Sequence, residues 1–187
     1  NGIIENFAAL KGELLSAGAR FHSDTDTEVV AHLLDAAWGE TGDLTSAMRA
    51  VVGRLEGAFT LLAVHRDAPG VVVGARRNSP LVVGLGEDEN VLGSDAAAFI
   101  ASTRRALELG QDQIVTITAY SVDVIGFDGE PAEHHVLGVD DVPLTRGVTR
   151  LRRVRRHSAY LFNLGLDPGA IRVPVAVHVL GFPGDRH

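Results

Sequence analysis

The sequence predicts an α+β fold, and three observations carry that prediction. Apolar residues recur at helical spacing through the first third of the chain, short apolar runs alternate with turn residues from Gly57 onward, and the two styles are segregated, helices first and strands after. With 187 residues, 45% of them hydrophobic, the chain is long enough to bury a substantial core in one domain of ordinary size, with or without an extension.

The elements follow in order. Asn1 to Asn6 begins without a Met and looks like the end of a strand entering a helix. Phe7, Leu10, Leu14 and Ala17 then share one helical face, and Gly18 is placed to stop that helix in the left-handed conformation. Ala19 to His22 forms a short extended piece. The stretch Ser23-Asp24-Thr25-Asp26-Thr27-Glu28 opens a second helix: Thr25 and Glu28 have capping-box spacing, and Val29, Val30, Leu33 and Leu34 supply the apolar face, with an end expected near Gly39. Leu44, Met48, Val51, Val52 and Leu55 mark a third helix.

After Gly57 the period changes. Ala58 to Val64 and Val71 to Ala75 are two strands of a hairpin turned at Asp67-Ala68-Pro69-Gly70, and Leu81 to Gly84 pairs with Asn90 to Gly93 across the acidic turn Glu87-Asp88-Glu89. Ser94-Asp95 caps a short helix through about Ser102. Further strands are expected at Ala106 to Leu109, Gln113 to Thr118 and Val122 to Ile125, with Asp128-Gly129 as a turn. From Asp140 the style differs: Arg146 to Arg156 holds six arginines among Val and Leu, and the end is punctuated by Pro168, Pro174 and Pro183. Its expected state is a poorly ordered extension, with a basic arm for nucleic acid or an acidic partner as the competing reading.

Charge divides at the same place. Up to Val139 there are 9 basic and 20 acidic residues, a net −11; from Asp140 there are 8 and 4, a net +4. An acidic body argues against nucleic acid as the main partner, because phosphate binding needs clustered positive charge. No apolar run approaches the ~18 residues of a membrane span, and the expected location is the cytoplasm. The absence of cysteine removes disulfides, thiolate metal sites and thiol nucleophiles from these residues.

Three groups of residues could carry chemistry. Asp26, expected in the first turn of its helix, is either a cap or an ionised carboxylate stabilised by the helix N-terminus and able to hold a substrate ammonium. Asn1-Gly2 is either a turn or, through a side-chain amide and a flexible backbone N–H, an oxyanion hole. Arg76-Arg77-Asn78-Ser79-Pro80 could bind an anion or satisfy carbonyls and acidic neighbours in a turn. The histidines lack metal-site spacing, His134 and His135 being adjacent. Gly84-Leu85-Gly86 lacks the third glycine and the helix of a dinucleotide loop.

Taken together, Asn1-Gly2-Ile3-Ile4-Glu5-Asn6, Ser23 to Val29, Gly57-Ala58-Phe59, Ala75 to Leu81 and Gly93-Ser94-Asp95 resemble the glutaminase domain of the glutamine–fructose-6-phosphate aminotransferase (glucosamine-6-phosphate synthase) family, over Asn1 to about Val139. The resemblance implies a four-layer αββα N-terminal-nucleophile sandwich, of which residues 1–139 would be the C-terminal portion. It implies hydrolysis of L-glutamine to glutamate and ammonia, with the ammonia passed to a sugar-phosphate isomerase domain that converts fructose 6-phosphate to glucosamine 6-phosphate. By motif, Asn1 and Gly2 would be the oxyanion donors and Asp26 the group that holds the α-ammonium of glutamine. No metal and no organic cofactor is implied; a cytoplasmic homodimer is.

The chain departs from the family's pattern in lacking the cysteine nucleophile, the Arg-Trp-Ala-Thr-His stretch that would hold the glutamine carboxylate, and the isomerase domain. These departures imply a fragment of a larger gene product, inactive by itself, with residues 140–187 a divergent tail, frameshifted, unrelated or disordered. The alternative is a non-catalytic binding or regulatory remnant of a class II amidotransferase such as amidophosphoribosyltransferase.

Overall fold

Two antiparallel sheets stack on one another, and three helices cover the outer face of the larger one. The structure, a computed structural model, describes residues 2–138. Asn1 and the expected tail of residues 140–187 lie outside the described residues. The elements run β1 (Gly2–Ile4), α1 (Phe7–Ser16), α2 (Glu28–Thr41), α3 (Leu44–Val52), β2 (Gly57–His65), β3 (Ala68–Arg77), β4 (Val82–Leu85), β5 (Asn90–Gly93), β6 (Arg105–Glu108), β7 (Gln113–Ile117), β8 (Val122–Gly126) and β9 (Val136–Gly138), with a 3-10 turn at Ala96–Ala98. The first sheet has the order β1-β2-β3-β7-β8 and the second β5-β4-β6-β9. The expected α+β class is observed.

Alternation along the strands builds two separate apolar layers. Phe59, Leu61, Ala63, Val73, Ala75 and Ile114 face the helices and meet Val29, Val30, Leu33, Met48 and Val51. Their sequence neighbours Leu62, Val72 and Val115 turn the other way, toward Leu81, Val83, Leu107 and Leu109 of the second sheet and its flanks. Gly74 leaves room for side chains packed between the sheets: a Cβ there would lie 2.9 Å from Leu81 Cδ2 and 3.1 Å from Leu62 Cδ2. On the far side of the second sheet, Phe99 and Ala106 form a small cluster with Val82, Val91, Ala96 and Ile100.

Several element ends differ from the sequence expectation for identifiable reasons. Helix α2 passes through Gly39 and ends at Thr41, where Gly42 (φ +62°) donates its N–H to Trp38 O; buried packing of the helix outweighs one internal glycine. Helix α3 ends at Val52, and Leu55, though buried, follows two i→i+3 turns. Asp43 caps α3, accepting from Ser46 N at 2.7 Å. The β2–β3 hairpin is tighter than expected: His65 pairs with Ala68, so Arg66-Asp67 make the turn and Pro69-Gly70 lie within β3. Pro69 is accommodated because β7 pairs with β3 only from Val72 onward, so no ladder bond is demanded of it. The helix expected after Asp95 is the 3-10 turn, with Asp95 accepting from Ala97 N at 2.7 Å. Strand β9 was not anticipated, being three exposed residues without alternation.

Candidate functional site

Residues 22 positions apart meet at the edge of the first sheet. Among the described residues strand β1 is its terminal strand and pairs with β2 alone, Gly2 opposite Phe59, Ile3 opposite Ala58 and Ile4 opposite Gly57. The buried Ile4 side chain anchors it, 1% exposed. Its N–H is taken by a side chain: it donates to Asp26 Oδ2 at 2.9 Å. The carboxylate is thereby held two residues, about 7 Å of strand, from Gly2. Gly2 itself is exposed, with φ +110°. A Cβ at this position would overlap the Ala58 carbonyl oxygen and lie 2.8 Å from Phe59 Cα, so the close approach of β2 requires glycine. Asn1, the other implied oxyanion donor, lies outside the described residues.

Asp26 does not occupy the first turn of α2. It lies two residues ahead of that helix, whose N-cap is Thr27 and whose first residue is Glu28. The helix-terminus effect is confined to the first turn, so it acts on Glu28, while Asp26 is stabilised by the Ile4 N–H. The expected capping box is absent as well. The Thr27 side chain makes no cap bond, and Glu28 reaches past Thr25 to accept His22 N at 2.7 Å on Oε1 and Ser23 N at 2.7 Å on Oε2. The Ser23 hydroxyl donates to Oε2 as well. Having one proton, it then accepts from the Thr25 hydroxyl at 2.8 Å. This use of Glu28 was missed in the sequence because capping-box spacing alone does not say which backbone N–H the carboxylate will find.

Glu28 is 3% exposed. Burial pushes its carboxyl upward and is the largest single influence. The Ser23 hydroxyl, the His22 and Ser23 backbone N–H groups and the His32 ring at 3.6 Å together outweigh it, and the net direction is below the ordinary carboxyl value of 4.5. A carboxyl whose pKa is depressed by folding contributes stability that is fully present above its unfolded value and is lost as pH falls through the lower folded one. Urea unfolding between about pH 6 and pH 3 should therefore show a loss of stability below about pH 4.5. The same curve for Glu28→Gln should be flatter in that window. Parallel curves would show that Glu28 is not the linked group.

The arginine cluster resolves toward the structural alternative. Arg77 donates Nε to Asp112 Oδ1 at 2.8 Å and Nη1 to Leu55 O at 2.9 Å, with its guanidinium 4.9 Å from the Phe127 ring centroid. Arg76 donates to Leu109 O and Gln111 Oε1. Asn78 takes a left-handed φ of +52° and is held by Gln111 through both its backbone N–H and its side chain. These bonds close the end of β3 onto the β6–β7 connection and occupy the half-buried cationic groups with partners of this chain. Thr60, on β2, donates to Ser79 Oγ at 2.8 Å and Pro80 O at 3.1 Å, fixing the following turn.

Residues 1–101 match the family model described as "Glutamine amidotransferase domain". A relative from Streptomyces coelicolor named glutamine–fructose-6-phosphate aminotransferase [isomerizing] is 64% identical over 140 residues, 75% of this chain and 23% of the relative. One of the same name from Leifsonia xyli is 63% identical over 133 residues, 71% of this chain and 22% of the relative. The chain thus spans under a quarter of the length of these relatives. Among solved structures, glutamine phosphoribosylpyrophosphate amidotransferase from B. subtilis aligns with a TM-score of 0.57 at 26% identity, over 68% of this chain and 28% of that one. The N-terminal-nucleophile amidotransferase fold expected from the resemblance is the one observed. With stacked antiparallel sheets, a helix layer, and the Gly2 and Asp26 segments joined at one edge, the chain belongs to the glutamine amidotransferase domain family.

Proposed function

We propose that this chain is part of the glutaminase domain of a glutamine–fructose-6-phosphate aminotransferase. The observation that carries the site reading is the Asp26 carboxylate fixed on the Ile4 N–H, two residues from Gly2. In this reading Asp26 holds the α-ammonium of L-glutamine by a charge-assisted contact. The Asn1 side-chain amide and the Gly2 N–H stabilise the oxyanion formed when a thiolate adds to the side-chain amide carbon. Collapse of that intermediate expels ammonia and leaves a thioester, which water cleaves to glutamate. The thiolate must come from outside these 187 residues, which contain no cysteine. Ammonia then condenses with the keto carbon of fructose 6-phosphate on a sugar-phosphate isomerase domain of the same protein, water leaves, and isomerisation gives glucosamine 6-phosphate.

The test is Asp26→Asn in the full-length protein, assayed by glutamate release. Loss of a charged partner for the ammonium should raise the KM for glutamine about a hundredfold, equivalent to about 2–3 kcal/mol. An unchanged KM would remove Asp26 from the site. The absence of cysteine favours a second reading, a binding remnant without turnover, for the chain taken alone; glutamate release by the isolated chain would overturn that.

A further inference from the structure

Glu28 is a buried carboxylate whose hydrogen bonds among the described residues go to the loop that carries Asp26. Its Oε1 holds His22 N and its Oε2 holds Ser23 N and the Ser23 hydroxyl. Ser23 Oγ in turn accepts from Thr25 N at 3.3 Å and pairs with the Thr25 hydroxyl. The next residue is Asp26, which grips Ile4 N. Between the buried end of this chain of bonds and β1 there is one continuous path: Glu28, Ser23, Thr25, Asp26, Ile4. The helix cap does not hold the loop, because Thr27 makes no side-chain cap bond. Burying a carboxylate to 3% exposure costs free energy unless its oxygens are fully used, and here both are. We propose that Glu28 is a positioning residue that fixes residues 22–25 and so holds the Asp26 carboxylate against β1 in the orientation that receives an ammonium.

The inference rests on the glutaminase reading for its functional consequence, but its structural half needs no ligand. A glutamine at position 28 keeps one acceptor oxygen and turns an NH2 toward a backbone N–H, because His22 N and Ser23 N use different oxygens. A depressed carboxyl pKa, which keeps both oxygens as acceptors at neutral pH, agrees with this arrangement.

Hydrogen exchange resolved to single amides in the full-length protein tests it. In Glu28→Gln, exchange at His22, Ser23 and Ile4 should quicken on the order of tenfold, with amides of β3 and β7 within about twofold of wild type. The KM for glutamine should rise on the order of tenfold, with kcat changed less than about threefold. Asp26→Asn should quicken Ile4 alone. Deprotected His22 and Ser23 with Ile4 still protected would overturn the proposal, as would a uniform rise that includes β3 and β7. If Glu28→Gln does not fold, Ser23→Ala decides. It keeps both backbone bonds to Glu28 and should still quicken Ile4 several-fold; no change there overturns the proposal. A glutamine KM that ignores Asp26→Asn would fault the glutaminase reading, while exchange at Ile4 judges Glu28 independently.

Discussion

Gly2→Ala is expected to detach strand β1. The new methyl group would overlap the Ala58 carbonyl oxygen, and the residue would have to keep φ at +110°, where an L side chain is strained. Cβ is placed by the backbone, so no rotamer change relieves the overlap. The strand must move away from β2, and its pairings with Phe59, Ala58 and Gly57 go with it. Ile4 then leaves its buried site, a loss of about 1.5–3 kcal/mol by itself. With the hydrogen bonds of the edge at about 1 kcal/mol each, the total should reach about 3–5 kcal/mol. Urea unfolding would show it as a lowered midpoint, and the Ile4 amide would lose its protection against exchange because it no longer reaches its acceptor, Asp26 Oδ2. In the proposed glutaminase reading, the oxyanion geometry and the ammonium site fail together. A variant with the wild-type midpoint and a protected Ile4 amide would show that β1 can shift without cost.

Phe59→Ala, directly across from Gly2, should be as damaging for a different reason. Its side chain is 1% exposed, faces the helix layer, stacks parallel to Phe127 at 6.3 Å between ring centroids and lies 5.7 Å from the Arg77 guanidinium. Truncation leaves a cavity in the core shared by the first sheet and the helices, and buried Phe→Ala changes cost about 3–5 kcal/mol. Domains of this size have about 5–15 kcal/mol in total, so a large share of the stability is lost. Phe59→Leu, which keeps most of the volume, should cost less than about 1.5 kcal/mol. Equal losses for the two variants would mean that the ring's stacking, more than its volume, sustains this part of the core. Arg77 keeps Asp112 and Leu55 O in both, so its ion pair is not the source of the effect.

These two residues illustrate what could be read in advance. The helical spacing of Val29, Val30, Leu33 and Leu34, and of Leu44, Met48, Val51 and Val52, is local information, and every one of these side chains is buried as expected. The hairpins β2–β3 and β4–β5 follow from short apolar runs between turn residues. Turn chemistry left the hairpin tip uncertain by a few residues, because Pro69-Gly70 satisfies a turn and the start of an unpaired strand end equally well. Asp26 and Gly2 were legible as candidates because a carboxylate beside a helix start and a glycine after Asn suit those roles. The placement of Asp26 in the helix was not correct, since the helix begins only where Glu28 can bury its carboxylate on His22 and Ser23.

The sequence alone determined the α+β class, the three helices and the succession of strands through β8, since each depends on spacing between near neighbours, and its ordered motifs carried the family resemblance. Tertiary structure decided which face each strand turns to the helices, that the exposed segment Val136–Gly138 pairs with β6, that the arginines of β3 bond the β6–β7 connection, and that Asp26 meets Ile4. These are pairings between distant segments. A local pattern fixes a side chain's place on its own helix or strand, but the donor or acceptor it meets is supplied only when another part of the chain folds against it.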